Sequence, residues 1–345
     1  MSLNRCIVFA FFFVSFLRGV TVWAEDLNIY FKTTPRIELL RPYADPVNMS
    51  LLITGADGRP VKQGMVDIRL DAPEPGRFFS TDFPFVEGTR LSEMRMELRQ
   101  GRVNWKYLFP IRGEYRLAVV VTTLDGGKAS KDFKFYVREN QKKWFALTGF
   151  SIGLFLLGLM AGRVFTAGPK SALIVLFAVA LLVESSQAAE PPRVPETENA
   201  GLEIEGATVG TPTAVRWVLK NAEITGKSNA LLTLTITHLE KEKIAFGVER
   251  IPVDKEFSLK FQFTDGAEYR VVALAEIPGK PPLRSEKVIG VTAIEPPAKA
   301  SVPALAYFVG VIALGLATGR WTKRRAVVPY LKLLSQHSRA PFGNS

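Results

Sequence analysis

Residues 103–116 read VNWKYLFPIRGEYR, and residues 257–270 read FSLKFQFTDGAEYR. In both stretches apolar side chains alternate with polar ones, which is the period-two pattern of a half-buried strand. A turn containing glycine follows, and a second strand begins at Glu-Tyr-Arg in each stretch. The chain therefore predicts the same β-hairpin twice, at positions 154 residues apart.

A second pair of matching stretches follows these hairpins. Residues 153–163 read GLFLLGLMAGR, and residues 310–320 read GVIALGLATGR, with three glycines and a terminal arginine at the same places. Hairpin and apolar segment repeat together. This predicts an internal duplication of a unit made of one β-domain and one membrane helix.

Short alternating segments bounded by glycine-rich turns fill the rest of both halves and predict further strands. Neither half shows a long amphipathic helical pattern, and each is long enough for one two-layer core. We therefore predict an all-β fold for the soluble parts, with two immunoglobulin-like sandwiches at residues 25–143 and 190–300, plus transmembrane α-helices.

The hairpin ending of each half, with its glycine, Glu-Tyr-Arg and following strand, resembles bacterial immunoglobulin-like periplasmic domains, including the YtkA-like group. Their penultimate hairpin carries a Gly-x-Tyr-Arg turn. The resemblance implies the fold and a periplasmic location. Some domains of that broad group bind copper through His and Met, and this chain departs from them because His238 is its only histidine before the C-terminal tail.

Membrane segments are expected because apolar residues make up 47% of the 345 residues and the mean hydropathy is +0.12. About 20 apolar residues are needed to cross the hydrocarbon core as a helix. Residues 144–162 and 302–319 meet this requirement and are predicted to be transmembrane helices.

Two shorter apolar runs resemble export signals. Residues 1–24 combine Arg5, an apolar run and a small-residue pattern, and they predict a signal peptide that contains the single cysteine, Cys6. Residues 171–188 have a similar pattern. They fit either a transmembrane helix that returns the chain to the exterior or an internal signal-like segment that is cut.

The predicted topology places both β-domains outside a bacterial inner membrane, with a short cytoplasmic loop at residues 163–170 and a basic cytoplasmic tail at 320–345. Basic residues beside the spans are predicted to anchor them at the inner surface: Arg163, Arg320, Lys323, Arg324 and Arg325. The alternative for this basic cluster is binding of anionic lipids. No nucleic-acid partner is expected for a chain that is mainly exported.

Four phenylalanines stand among prolines and glycines in an extra segment of the first half, DAPEPGRFFSTDFPFVEGTR: Phe78, Phe79, Phe83 and Phe85. An aromatic loop of this kind predicts a partner-binding surface. The alternative is that these side chains fold back onto the sandwich as part of its core.

Each predicted helix carries a Gly-x3-Gly pair, Gly158 with Gly162 and Gly315 with Gly319. Glycines at this spacing form a smooth stripe on which another helix can pack closely. We expect the two helices to pack on each other, on a second copy or on a membrane partner. The alternative is the ordinary enrichment of glycine in membrane helices.

Catalytic and metal-binding motifs are absent from the sequence, and no cofactor is predicted. Weak metal-binding candidates are Met94, Met96 and His238. The methionines are more simply explained by core packing, and His238 by a position at the end of a strand. The chain is therefore predicted to be a non-enzymatic accessory or scaffold subunit of a membrane protein complex. The alternatives are a membrane-tethered module that handles a periplasmic ligand or copper, and an envelope hydrolase that uses paired carboxylates.

Overall fold

The structure is a computed structural model that describes residues 27–76, 79–164, 200–219, 230–295 and 297–337; the side chains of Lys299 and of residues 324–337 are not described. The predicted signal peptide (1–24), the predicted segment 171–188 and Phe78 lie outside the described residues. So do most of the predicted cytoplasmic loop and the side chains of Arg324 and Arg325.

Fourteen described strands form in the places where apolar and polar residues alternate. The strands of the first half are β1 (Asn28–Thr34), β2 (Val47–Thr54), β3 (Gln63–Asp71), β4 (Arg90–Arg99), β5 (Arg102–Tyr107), β6 (Gly113–Thr123) and β7 (Lys128–Val137). The strands of the second half are β8 (Ala200–Ile204), β9 (Pro212–Leu219), β10 (Ala230–His238), β11 (Lys243–Val253), β12 (Glu256–Gln262), β13 (Glu268–Glu276) and β14 (Leu283–Gly290).

The strands pair into two antiparallel sheets of seven, and each sheet contains strands of both halves. One sheet runs β1-β2-β5-β11-β10-β13-β14, and the other runs β7-β6-β3-β4-β12-β9-β8. Among the described strands, the pairing of Arg99 in β4 with Arg102 in β5 connects the two sheets. Each half thus contributes three strands to one sheet and four to the other, in the same order.

The halves join where β5 pairs with β11 and β4 pairs with β12. Trp105 lies opposite Val248 and Tyr107 opposite Phe246 at the first junction. Met94 lies opposite Leu259 and Ser92 opposite Phe261 at the second. Each first-half residue of these pairs has a counterpart in the second half 154 positions later. Ser92 corresponds to Phe246, Met94 to Val248, Trp105 to Leu259 and Tyr107 to Phe261. The two junctions are therefore related by a pseudo-twofold arrangement.

The buried faces of the two sheets enclose one continuous hydrophobic core that includes residues of both halves. Tyr107 of β5 packs against Phe261 of β12 with ring centroids 6.3 Å apart, and Phe261 packs against Phe246 at 5.8 Å. The sequence had predicted one core in each half. The halves share a core because strand pairing at both junctions leaves no solvent-exposed boundary between them.

Two apolar helices follow the two halves. Helix α1 (Gln141–Val164) begins just after β7, and helix α2 (Ala298–His337) follows β14. All of α1 and residues 300–323 of α2 are long and apolar enough to cross a membrane. Both helices begin earlier than the predicted spans, and α2 continues well into the predicted tail. We call the end of the sandwich from which they leave the helix-proximal end.

The two helices run parallel and in contact. Phe150 packs on Phe308 with ring centroids 5.4 Å apart, and the hydroxyl groups of Ser151 and Tyr307 lie 3.1 Å apart. Further along, the Arg163 Nε donates a hydrogen bond to the Thr322 hydroxyl at 3.4 Å. Contacts at ascending positions of both helices show that they point in the same direction.

Candidate functional site

A half-buried carboxylate, Asp265, organises the helix-proximal end of the second half. Its Oδ2 lies 3.1 Å from Nε2 of His238 and also accepts a hydrogen bond from the Lys241 ammonium group. Its Oδ1 accepts a hydrogen bond from the Tyr269 hydroxyl. The imidazole of His238 is 1% exposed and packs against the Tyr269 ring. The result is a closed polar cluster of four side chains.

The same cluster contacts the first half through Tyr43. The Tyr43 hydroxyl lies 2.7 Å from the Thr264 hydroxyl, and the Lys241 ammonium group lies 4.1 Å from the centroid of the Tyr43 ring. Lys243 donates a 2.9 Å hydrogen bond to the backbone oxygen of Tyr43. These interactions fix the segment before β2 against the second half.

Burial and hydrogen bonding shift the pKa values in this cluster in opposite directions. Burial raises the pKa of the Tyr269 phenol well above its usual range, and the neighbouring Asp265 carboxylate raises it further. The pKa of Tyr43 is raised for the same two reasons. Burial alone would raise the pKa of Asp265, but the hydrogen bonds from His238, Lys241 and Tyr269 outweigh it and hold that pKa well below its usual range. At neutral pH the Asp265 carboxyl group is therefore ionised, and the phenols of Tyr43 and Tyr269 are neutral.

In the equivalent turn of the first half, the tyrosine hydroxyl bonds to the backbone instead of to a carboxylate. The fully buried Tyr115 donates a 2.7 Å hydrogen bond from its hydroxyl to the backbone oxygen of Ile111 and accepts one from the Ile111 amide at 3.2 Å. In both halves, the tyrosine of Glu-Tyr-Arg therefore bonds to the residue four positions earlier. This corner fixes the turn from which β6 or β13 begins.

The weak metal-binding candidates lie on two different strands, the methionines on β4 and the histidine on β10. Met94 and Met96 are each 2% exposed and lie in the hydrophobic core of β4. His238 is at the end of β10, engaged with Asp265 as described. Among the described residues, no group of three or more His, Cys, Asp or Glu side chains is arranged to hold a metal ion.

The aromatic segment of the first half forms a loop between β3 and β4, residues 72–89, which we call the Phe loop. Phe83 and Phe85 are partly buried and pack against the shared core. Phe83 lies 5.2 Å from Tyr43 by ring centroids, and a Cβ atom added at Gly210 of the second half would lie 3.0 Å from the Cβ atom of Phe85. Phe79 remains 50% exposed. The predicted loop thus spreads its aromatic residues between the core and the surface.

The glycine stripes of the two helices face each other. A Cβ atom at Gly158 would lie 2.5 Å from the backbone oxygen of Ile312, and one at Gly315 would overlap the backbone oxygen of Phe155. Gly162 and its counterpart Gly319 likewise approach the backbone of the opposite helix. Backbones this close leave no room for a side chain at any of the four positions.

The predicted basic anchors lie at the far ends of the helices. Arg163 is exposed, and its backbone oxygen accepts a 3.0 Å hydrogen bond from Lys323. Arg320 is also exposed. The two helices therefore place cationic side chains side by side at one level.

Sequence reasoning missed Tyr43, Lys241 and Asp265. Asp265 lies in the predicted hairpin of residues 257–270, four residues before Tyr269. The turn of that hairpin was therefore the one sequence feature that could have pointed to Asp265. Its partners are distant in sequence or on other strands, and only the fold brings them together. The strand pairing across the two halves had no local signal.

Comparisons with protein-family models and with curated proteins find no match. Among solved structures, the soluble domain of PmoD from a Methylocystis species aligns at 13% identity with a TM-score of 0.23, covering 32% of this chain and 90% of that one. Latent PorU from Porphyromonas gingivalis aligns at 10% identity with a TM-score of 0.27, and a tandem repeat of a large adhesion protein at 9% with 0.22. This chain spans 25% and 50% of the lengths of those two structures. Scores this low carry no argument about activity.

Proposed function

We propose that this chain is a non-enzymatic, membrane-anchored protein of the bacterial cell envelope that serves as an accessory or scaffold subunit of a membrane complex. The observation that carries the proposal is the pairing of β5 with β11 and of β4 with β12. Strand pairing of this kind joins the two halves into one rigid body, and that body is attached to two packed apolar helices. Such a body can hold a partner at a fixed height and orientation above a membrane.

The proposal includes an origin by duplication of an immunoglobulin-like unit. Three observations support it: the seven strands of each half pair in the same order, both corners use a tyrosine that bonds four residues back, and the helices meet at equivalent glycines. A sandwich with three strands in one sheet and four in the other is the arrangement of many cell-surface domains. In a duplicated chain, the pseudo-twofold axis corresponds to the axis of an ancestral dimer.

The proposed topology places both halves on the periplasmic side of the inner membrane. The parallel direction of α1 and α2 supports a common side of the membrane for the two halves, because both helices leave from the helix-proximal end of the sandwich; the predicted signal peptide supports the periplasm as that side. If both cross in the same direction, the chain must return across the membrane between Val164 and Ala200. The apolar run at residues 171–188, which lies outside the described residues, has the composition for this return.

The test is purification of the full chain from its own membranes in a mild detergent, with quantification of the proteins that accompany it. The proposal predicts a membrane protein at a fixed stoichiometry, retained in size-exclusion chromatography. A chain that elutes alone from several mild detergents would contradict the scaffold role. Alkaline phosphatase fusions after Val137 and after Gly290 should both be active, since this reporter folds only in the periplasm, and an inactive fusion would contradict the topology.

A further inference from the structure

The tip of the Phe loop reaches the outer part of the helix pair. The ring of Phe79 lies edge-on to the ring of Tyr307 in α2, with centroids 6.1 Å apart, and Tyr307 is itself 40% exposed. On the other side of the tip, Asp82 forms an ion pair with Lys143 near the start of α1. The loop is therefore attached to both helices, although it belongs to the sandwich.

Several described polar groups near this tip are hydrogen-bonded within the loop. The Glu87 carboxylate accepts hydrogen bonds from the Ser80 hydroxyl, at 2.7 Å, and from the Thr81 amide. The Thr81 hydroxyl accepts a hydrogen bond from the Phe83 amide at 3.4 Å. A segment whose polar groups are paired internally can enter an apolar medium at low cost. Among the described residues of this loop, Phe79 is the large apolar side chain that is exposed.

The depth of the ring follows from helix geometry. The apolar stretch of α2 begins at Ala300. Tyr307 comes seven residues later, which corresponds to about 10 Å along the helix axis. Helical side chains lean toward the helix N-terminus, so the Tyr307 ring lies nearer the start of the span than its backbone does. Asp82 pairs with Lys143, the third residue of α1, whereas Phe79 contacts Tyr307, which lies about two turns into the apolar stretch of α2.

We propose that the Phe loop inserts Phe79 into the outer leaflet of the bilayer, with lipid acyl chains covering the exposed face of the ring. The inference rests on the proposed membrane topology. Three features support lipid as the occupant: the contact of Phe79 with a residue inside the apolar span, the hydrogen bonds of Ser80 and Thr81 to Glu87 within the loop, and an ion pair near the start of the helices. Peripheral segments of this kind typically lie 5–10 Å below the boundary of headgroups and acyl chains. The loop then forms a third membrane contact, which fixes the tilt of the sandwich.

The experiment labels single cysteines in the full chain with an environment-sensitive fluorophore and reconstitutes the protein in phosphatidylcholine vesicles. Cys6 is first replaced by serine. The test position is Phe79→Cys, the control far from the membrane is Leu124→Cys, and the control inside the membrane is Leu157→Cys. Leu124 is 74% exposed in the turn after β6, at the end of the sandwich opposite the helices, and Leu157 is 53% exposed on α1. Quenching is measured with lipids that carry a spin label at shallow and at deep acyl positions.

The proposal predicts a blue-shifted emission at position 79 and quenching by the shallow label at least about twofold stronger than at position 124, as expected for an interfacial segment. Position 157 should be quenched most by the deep label. Quenching at 157 without quenching at 79 would overturn the inserted loop and leave the topology intact. A lack of quenching at 157 would overturn the topology itself. A blue shift at 79 that appears in native membranes but not in pure lipid would assign the ring to a protein partner and contradict the proposal.

Discussion

Replacing Tyr115 with phenylalanine tests whether the two halves unfold as one unit. The substitution keeps the buried ring and removes the hydroxyl that bonds both the oxygen and the amide of Ile111. Ile111 is 2% exposed, so water cannot replace the lost bonds. Leaving buried polar groups unpaired costs about 1–3 kcal/mol each, partly recovered by relaxation, and we expect a net loss of about 2 kcal/mol.

Because the two halves share both sheets, the loss of stability should be observed in strands of both halves. A loss of about 2 kcal/mol raises the equilibrium constant for global opening about 30-fold, and amides that exchange only by global opening accelerate by the same factor. Because β5 pairs with β11 and β4 with β12, the central amides of β10 and β13 should accelerate together with those of β3 and β6. Hydrogen exchange followed by mass spectrometry on the detergent-purified chain measures all four strands in one experiment.

Tyr269→Phe is the matched control, because it changes the same corner of the other half. Asp265 keeps its hydrogen bonds from His238 and Lys241 in this variant, so its carboxylate is not left unpaired. We expect a loss of about 1 kcal/mol and a roughly fivefold acceleration. Acceleration in β3 and β6 of Tyr115→Phe without any change in β10 and β13 would refute the reasoning, since the halves would then open independently.

Two further substitutions test the buried carboxylate and the helix pair. Because the folded-state pKa of Asp265 is depressed, its stabilisation is present above the unfolded pKa of about 4 and is lost as the pH falls. Asp265→Asn should therefore be less stable than the wild type at pH 7 and lose less stability on acidification, as measured by thermal unfolding at several pH values; parallel pH profiles would contradict this. Gly158→Ile or Gly315→Ile should lower the unfolding temperature in detergent, because a side chain overlaps the opposite backbone, whereas Gly153→Ile and Gly310→Ile have open space around the Cβ and serve as controls. Equal effects at all four glycines would show that the helices do not pack through this stripe.

The local elements of this fold could be predicted from the sequence because their signals are local. Alternating apolar residues predicted the hairpin that contains Tyr115 and the one that contains Tyr269, and uninterrupted apolar runs predicted the two helices. Strand β11 has a weaker pattern than the other strands, because Gly247, Pro252 and several charged residues interrupt its alternation. Its central position in the first sheet compensates for this weak pattern.

The joining of the halves could not be predicted in the same way. Residues 92–94 show the same alternation whether β4 is an edge strand or pairs with a strand of another unit. The choice depends on the shape of two surfaces and not on periodicity. The polar cluster around Asp265 had the same difficulty, because Tyr43 reaches it from more than 200 positions away. The position of Asp265 in the hairpin predicted a turn. Its contact with Lys241 depends on the packing of the folded chain, which the hairpin pattern does not predict.

The most direct test of the shared sheets is a disulfide across the junction of β4 and β12. Glu93 and Lys260 lie directly opposite each other there, with the Lys260 ammonium group 3.4 Å from the Glu93 carboxylate. Opposed residues of an antiparallel pair have Cβ atoms about 5 Å apart, close enough for a disulfide after a small adjustment. Mild oxidation of a Glu93→Cys, Lys260→Cys chain that lacks Cys6 should link peptides 93 and 260, detected by mass spectrometry of an unreduced digest. A Glu93→Cys, Lys255→Cys chain is the control, because position 255 lies in the turn before β12, five residues or about 17 Å from position 260. Efficient linkage of the first pair alone is the predicted result, and no linkage, or equal linkage in both chains, would contradict it.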